Sequence, residues 1–118
     1  MIHFKKERTK YISQILYELE TIDIMKIILF GSTASDTDNN ESDIDLLIVL
    51  DDNFCPQTYE ERMEYRLKIR RKLRAINRQV AIDLLIYTIP EYELIKENMN
   101  SFFKEIHATG RIIYEKAS

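Results

Sequence analysis

Residues 24–50 read IMKIILFGSTASDTDNNESDIDLLIVL. Two apolar runs, 24–30 and 43–50, are rich in Ile, Leu and Val and have the length of buried strands. Between them, residues 31–42 (GSTASDTDNNES) are small and polar. Such a segment predicts a turn, a short helix beginning near Ser32, and then a loop. It is short for a right-handed crossover between parallel strands, so a mixed sheet is expected.

On the N-terminal side, Phe4, Tyr11, Ile12, Ile15, Leu16 and Leu19 recur at helical spacing and predict a helix over 3–21. On the C-terminal side, Asp51 to Pro56 reads as a loop. A long helix follows over 58–78, opened by a Thr58/Glu61 capping box, with Tyr59, Met63, Leu67, Leu73 and Ile76 as its apolar face. Residues 80–88, VAIDLLIYT, are a third strand. Pro90 suits the first turn of a helix, and 90–108 reads as helical with a break near Asn98 to Ser101. Gly110 can cap it, and Arg111 to Glu115 form a short last strand. The expectation is one α/β (α+β) domain over 1–118, a small mixed sheet covered by helices.

The composition fits that reading. Of 118 residues, 45% are hydrophobic and 31% charged, which excludes a collagen-like chain and argues against global disorder. There are only two glycines and two prolines, so each glycine in a turn is informative. A net charge of −3 does not suggest a chain held to nucleic acid by charge alone. The single cysteine, Cys55, allows no intrachain disulfide. No apolar run approaches the length of a membrane-spanning helix, and MIHFKKERTK turns charged at once, so no membrane association and a cytoplasmic location are expected.

Asp43 and Asp45 flank Ile44 within the second strand. Residues i and i+2 of a strand share a face, so both carboxylates project together while Ile44, Leu46, Ile48 and Leu50 point into the core. Two like charges side by side repel, and a divalent cation relieves the repulsion; hard oxygen ligands suit Mg²⁺ or Mn²⁺. Alone, such a pair reads equally well as a strand start facing water. Asp83 shifts the balance, because it interrupts the third apolar run in the same way. If that strand neighbours 43–50, three acids converge on one rim. The competing reading is an Asp83 ion pair with an Arg of the 62–78 helix.

Gly31 and Ser32 follow a strand and precede a short helix. Glycine lets backbone approach a ligand closely, and Ser32 adds a hydroxyl and an N–H, the chemistry of a phosphate cradle. Alone, Gly-Ser reads as an ordinary turn. Neither the dinucleotide-binding glycine fingerprint nor the P-loop pattern is present. His3 and His107 lack neighbours at zinc-ligand spacing, and Cys55 has no evident base. Phe102, Phe103 and Ile106 read as core or as a dimer surface rather than as a base pocket.

The segments FGSTASDTDNNESDIDLLIVL (30–50) and VAIDLLIYT (80–88) together resemble the minimal nucleotidyltransferases of the DNA polymerase β-like superfamily. Gly31, Ser32, Asp43, Asp45 and Asp83 match the family pattern position by position. The resemblance implies a nucleotidyltransferase fold of the polymerase β type. It implies that Asp43 and Asp45 hold two Mg²⁺ ions, that Asp83 joins the catalytic one, and that Gly31 and Ser32 hold the β and γ phosphates of an NTP. The implied reaction moves a nucleoside monophosphate, AMP from ATP, to a hydroxyl and releases pyrophosphate. Asp83 is also a candidate to accept the hydroxyl proton. Many small members carry an Arg and a second Gly after the Gly-Ser. Here Thr33, Ala34, Ser35 and Asp36 stand there, which removes a positive charge near the nucleotide and adds a negative one.

A chain of 118 residues leaves little room for an acceptor-binding domain. Stand-alone members of this family often act as antitoxins beside a HEPN-domain toxin and transfer AMP to a hydroxyl, commonly tyrosine, of that partner. The resemblance therefore implies a HEPN-type toxin as acceptor. A non-catalytic interaction module retaining the fold is the alternative, and transfer to a small molecule a weaker one. A homo-oligomer stays open. Charge is unevenly spread: residues 36–52 hold seven acids and no base, whereas 62–78 hold eight bases against Glu64 alone. Arg62, Arg66, Arg70, Arg74 and Arg78 recur every four residues and wind partly round their helix. This stripe reads first as a solvated or intramolecular face, then as a protein-docking face. Nucleic acid is not favoured, since few aromatics are interleaved.

Overall fold

The computed structural model describes residues 2–31 and 44–117, with side chains from Thr9 onward. Its elements are α1 (Ile2–Glu18), β1 (Ile24–Phe30), β2 (Ile44–Leu50), α2 (Tyr59–Asn77), β3 (Ile82–Tyr87), α3 (Ile89–Glu97), α4 (Ser101–Thr109) and β4 (Arg111–Glu115). The strands form one sheet in the order β3-β2-β1-β4. β1 pairs antiparallel with β2 and with β4, while β2 and β3 run parallel. The mixed sheet follows from the connections: β1 and β2 are joined by a short segment, whereas α2 lies between β2 and β3 and lets the chain return in the same direction.

Helices cover both faces, which is why β2 is apolar almost throughout. Ile44, Leu46, Ile48 and Leu50 pack on one face with Ile15 of α1, with Leu19 just beyond it, and with Ile69, Leu73 and Ile76 of α2. Leu47 and Val49 pack on the other face with Ile28 of β1, Tyr92 of α3 and Ile106 of α4. A strand buried on both sides cannot alternate apolar with polar. The polar position that β2 keeps, Asp45, sits near its start.

Helix ends follow the sequence signals. Thr58 accepts a hydrogen bond from the Glu61 N–H at 3.1 Å, and the Glu61 carboxylate accepts from the Thr58 N–H at 3.2 Å. The 90–108 segment divides as expected: Asn98 ends α3, and the Asn100 side chain accepts from the Phe103 N–H at 3.0 Å to start α4. Gly110 ends α4 at an ordinary φ of −70°. Its lack of a side chain matters for packing instead, because a Cβ there would lie 2.4 Å from the Ile106 carbonyl oxygen and 2.8 Å from Ile28.

Two expectations change, and a third lies outside the described residues. α1 ends at Glu18 and gives way to turns before β1, so the helix is shorter than 3–21. The buried face of α2 is Ile69, Leu73 and Ile76, with Tyr65 beside it, whereas Tyr59 and Leu67 are exposed. The expected strand start at Asp43 and the turn after Gly31 fall at residues 32–43, outside the described residues.

Candidate active site

Asp45 and Asp83 are register partners on the parallel strands β2 and β3. Neighbouring strands lie about 4.8 Å apart, so the two side chains leave the backbone side by side. Both belong to the sheet face that carries Leu47 and Leu85, the face covered by α3 and α4. Each stands near the start of its strand, where apolar cover thins: Asp45 is half-buried and Asp83 is exposed. The ladder still holds at this end, since the Ile44 N–H donates to the Ala81 carbonyl at 2.9 Å.

β1 runs antiparallel to β2, so its last residue, Phe30, lies opposite Asp45. Gly31 follows at φ +78°, a left-handed conformation that costs other residues roughly 1–2 kcal/mol. Glycine is required there for a second reason. A Cβ would sit 2.2 Å from Oδ2 of Asp45 and 3.2 Å from its Cγ. The glycine turn is thus pressed against the carboxylate, and the Asp45 side chain occupies the space that a side chain at 31 would need.

These groups open into a cleft of about 720 Å³, a size suited to a small ligand. Gly31, Asp45 and Asp83 line it from the sheet, and Phe102, Glu105 and Thr109 line it from α4. α4 is fixed by a polar contact under it. The His107 ring stacks on Tyr92, with Nδ1 2.8 Å from the Phe103 carbonyl and Nε2 2.6 Å from the Tyr92 hydroxyl. A carbonyl only accepts, so Nδ1 carries the proton and Nε2 accepts from Tyr92. Burial pushes the Tyr92 hydroxyl above its ordinary range, which keeps it a donor.

Of the residues singled out in sequence, Gly31, Asp45 and Asp83 come together. Ser32 and Asp43 lie outside the described residues. Among the described residues no three His, Cys, Asp or Glu side chains stand close enough to hold a metal. What is described is a pair of hard carboxylate donors, which fits an ion such as Mg²⁺ that keeps several waters. Among the described residues Asp83 forms no ion pair with α2, and Arg62 instead binds Glu91 of α3 at 2.8 Å. That ion pair also makes Arg62 an intramolecular member of the arginine stripe, while Arg70, Arg74 and Arg78 are exposed.

Two residues that line the cleft were missed in the sequence reading. Phe103 and Ile106 are core residues as expected, but Phe102 is half exposed and borders the cleft. Glu105 also borders it. The signal was available in the spacing, because 102, 105 and 109 share one face of a helix.

A mixed sheet that carries adjoining aspartates on two parallel strands, beside a glycine turn that ends the next strand, defines a nucleotidyltransferase-fold protein. The family Polymerase beta, Nucleotidyltransferase, matches residues 10–118, and the chain belongs to it. No curated protein matches the chain significantly. Among solved structures, a toxin–antitoxin with AMP-PNP is similar with a TM-score of 0.54 and 19% identity, over 88% of this chain and 73% of that one. A Sulfolobus solfataricus protein described as a nucleotidyltransferase is similar with a TM-score of 0.53 and 16% identity, over 98% and 83%. A mutant of the toxin–antitoxin MntA-HpeT is similar with a TM-score of 0.51 and 16% identity, over 88% and 72%. At these identities the likeness shows the fold. No described helix is long and apolar enough to cross a membrane.

Proposed function

We propose that this chain is a metal-dependent nucleotidyltransferase that moves AMP from ATP to a hydroxyl of a partner protein, a HEPN-type toxin. The observation that carries this reading is the register pairing of Asp45 with Asp83 at a cleft bordered by Gly31. Two carboxylates held side by side are costly unless a cation or proton compensates them, and their exposed rim lets a hydrated ion reach them. The likeness to toxin–antitoxin structures, one with AMP-PNP, supports the nucleotide and the partner class.

Asp43, Asp45 and Asp83 would hold Mg²⁺ or Mn²⁺. When bound, the metal supplies charge neutralisation at the transferring phosphate and lowers the pKa of the attacking hydroxyl. The protein's part is positioning. The Gly31 turn lets backbone approach phosphate without a side chain in the way, and Ser32 adds a donor. Asp83, the more exposed of the pair, would accept the proton of an incoming hydroxyl, directly or through water. That hydroxyl attacks the α-phosphorus, the bond to the bridging oxygen breaks, and pyrophosphate leaves.

The test is incubation with ATP labelled at the α-phosphate, Mg²⁺ and the protein encoded beside this one. Label should move to that partner, and Asp45→Asn and Asp83→Asn should each abolish transfer. No transfer, together with equal neutralisation of the partner by wild type and Asp45→Asn, would favour a non-catalytic interaction module. Label found on a small hydroxyl compound instead would replace the acceptor.

A further inference from the structure

The proposed metal and phosphate chemistry would use the sheet side of the cleft and leave the α4 side without a role. Phe102 stands there with half its surface exposed (50%), although Phe103 beside it and Ile106 one turn on pack into the core. Its ring is not loose. Phe30 meets it edge-on at 6.1 Å and 86°, and Phe103 at 5.3 Å and 69°. Two aromatic neighbours thus fix the ring while much of it stays bare at the cleft.

Glu105 follows on the same helix face and also borders the cleft. Its backbone carbonyl accepts from the Thr109 hydroxyl at 2.8 Å, while its carboxylate forms no ion pair among the described residues. It does not join Asp45 and Asp83 in a three-ligand group. A third carboxylate in a cleft for triphosphate adds repulsion unless it faces a donor. A carboxylate only accepts, so the matching ligand group is an N–H. Adenine, cytosine and guanine each carry an amino group on the base edge, whereas uracil lacks one.

We propose that α4 is the base-recognition wall of the cleft, with Phe102 stacking on the nucleobase and Glu105 accepting a hydrogen bond from its amino group. This rests on the reading that the cleft binds a nucleoside triphosphate. Stacking favours large purine rings, and Glu105 disfavours UTP.

Equilibrium binding of the Mg²⁺ complexes of ATP, UTP and inorganic tripolyphosphate tests it. Phe102→Leu is the informative variant, because it keeps apolar volume against Phe30 and Phe103 but removes the aromatic face. Phe102→Leu should weaken ATP roughly 10-fold and leave tripolyphosphate unchanged, while Phe102→Tyr retains ATP affinity. Glu105→Gln should narrow the preference for ATP over UTP, with tripolyphosphate bound as well or better. Unchanged ATP-to-tripolyphosphate and ATP-to-UTP ratios in these variants overturn the proposal alone. Failure of wild type to bind any of the three overturns the nucleotidyltransferase reading, and this proposal with it.

Discussion

Gly31→Ala separates the site from the scaffold. At φ +78° an alanine costs roughly 1–2 kcal/mol of backbone strain. Its Cβ would also lie 2.2 Å from Asp45 Oδ2, where ordinary contact begins near 3.4 Å. The overlap exceeds 1 Å, and the carboxylate is the part able to move. Displacing the carboxylate costs further stability, and strain alone should lower it by about 1–2 kcal/mol. For a chain of 118 residues that is a drop in Tm of roughly 4–8 °C. Displacement governs function: a misplacement of about 1 Å at a reacting centre costs on the order of 100-fold. Thermal melts, Mn²⁺ titration and nucleotidyl transfer measured on the same preparation would show a modest stability loss beside a large loss of metal affinity and activity. The same substitution in an Asp45→Ala background should cost only the strain, because the clash partner is gone. Wild-type Mn²⁺ affinity in Gly31→Ala, or an equal stability cost with and without Asp45, would refute the contact between turn and carboxylate.

Asp83→Asn should leave stability unchanged or raise it by up to ~1 kcal/mol, since a like charge beside Asp45 is removed. Mg²⁺ should raise the Tm of wild type but not of this variant; at ten times the dissociation constant the linkage is worth about 1.4 kcal/mol. Glu91 accepts from the Thr88 N–H at 3.0 Å and pairs with Arg62 at 2.8 Å, at the end of β3 remote from Asp83. Glu91→Gln should therefore cost about 1–3 kcal/mol in urea unfolding, with transfer by the folded fraction unaffected. Burial, and then its hydrogen bond to Asp52, push the Tyr65 hydroxyl up to about 12, from an ordinary 10. Because the folded state holds this proton more tightly, the stability it confers is present below pH 10 and lost as pH rises toward 12. Urea midpoints measured across that range should fall less steeply in Tyr65→Phe.

Much of the fold was legible because each signal had one physical solution. The polar link after Phe30 is short for a full crossover, which favours a mixed sheet. The Thr58/Glu61 pair starts α2, and the asparagines at 98 and 100 divide α3 from α4. The pairing of Asp45 with Asp83 was legible only as a condition, since a sequence shows that two strands carry acids but not that they adjoin. Periodicity failed on α2 because Tyr59, Leu67 and Ile69 are all apolar, and only packing selects Ile69. Gly110 was legible as a helix end, but the close approach of Ile28 that requires it is a tertiary contact. Phe102 was lost for the same reason: neighbouring phenylalanines look alike until α4 is laid on the sheet.

Asp45 and Asp83 are expected to share one divalent cation. A crystal structure with Mn²⁺ and a non-hydrolysable ATP analogue tests it most directly. The anomalous signal should place Mn²⁺ about 2.1 Å from carboxylate oxygens of both residues, with Asp43 joining the shell and the triphosphate beside the Gly31 turn. Mn²⁺ bound elsewhere, or bound by Asp45 with Asp83 turned away from it, would contradict the claim.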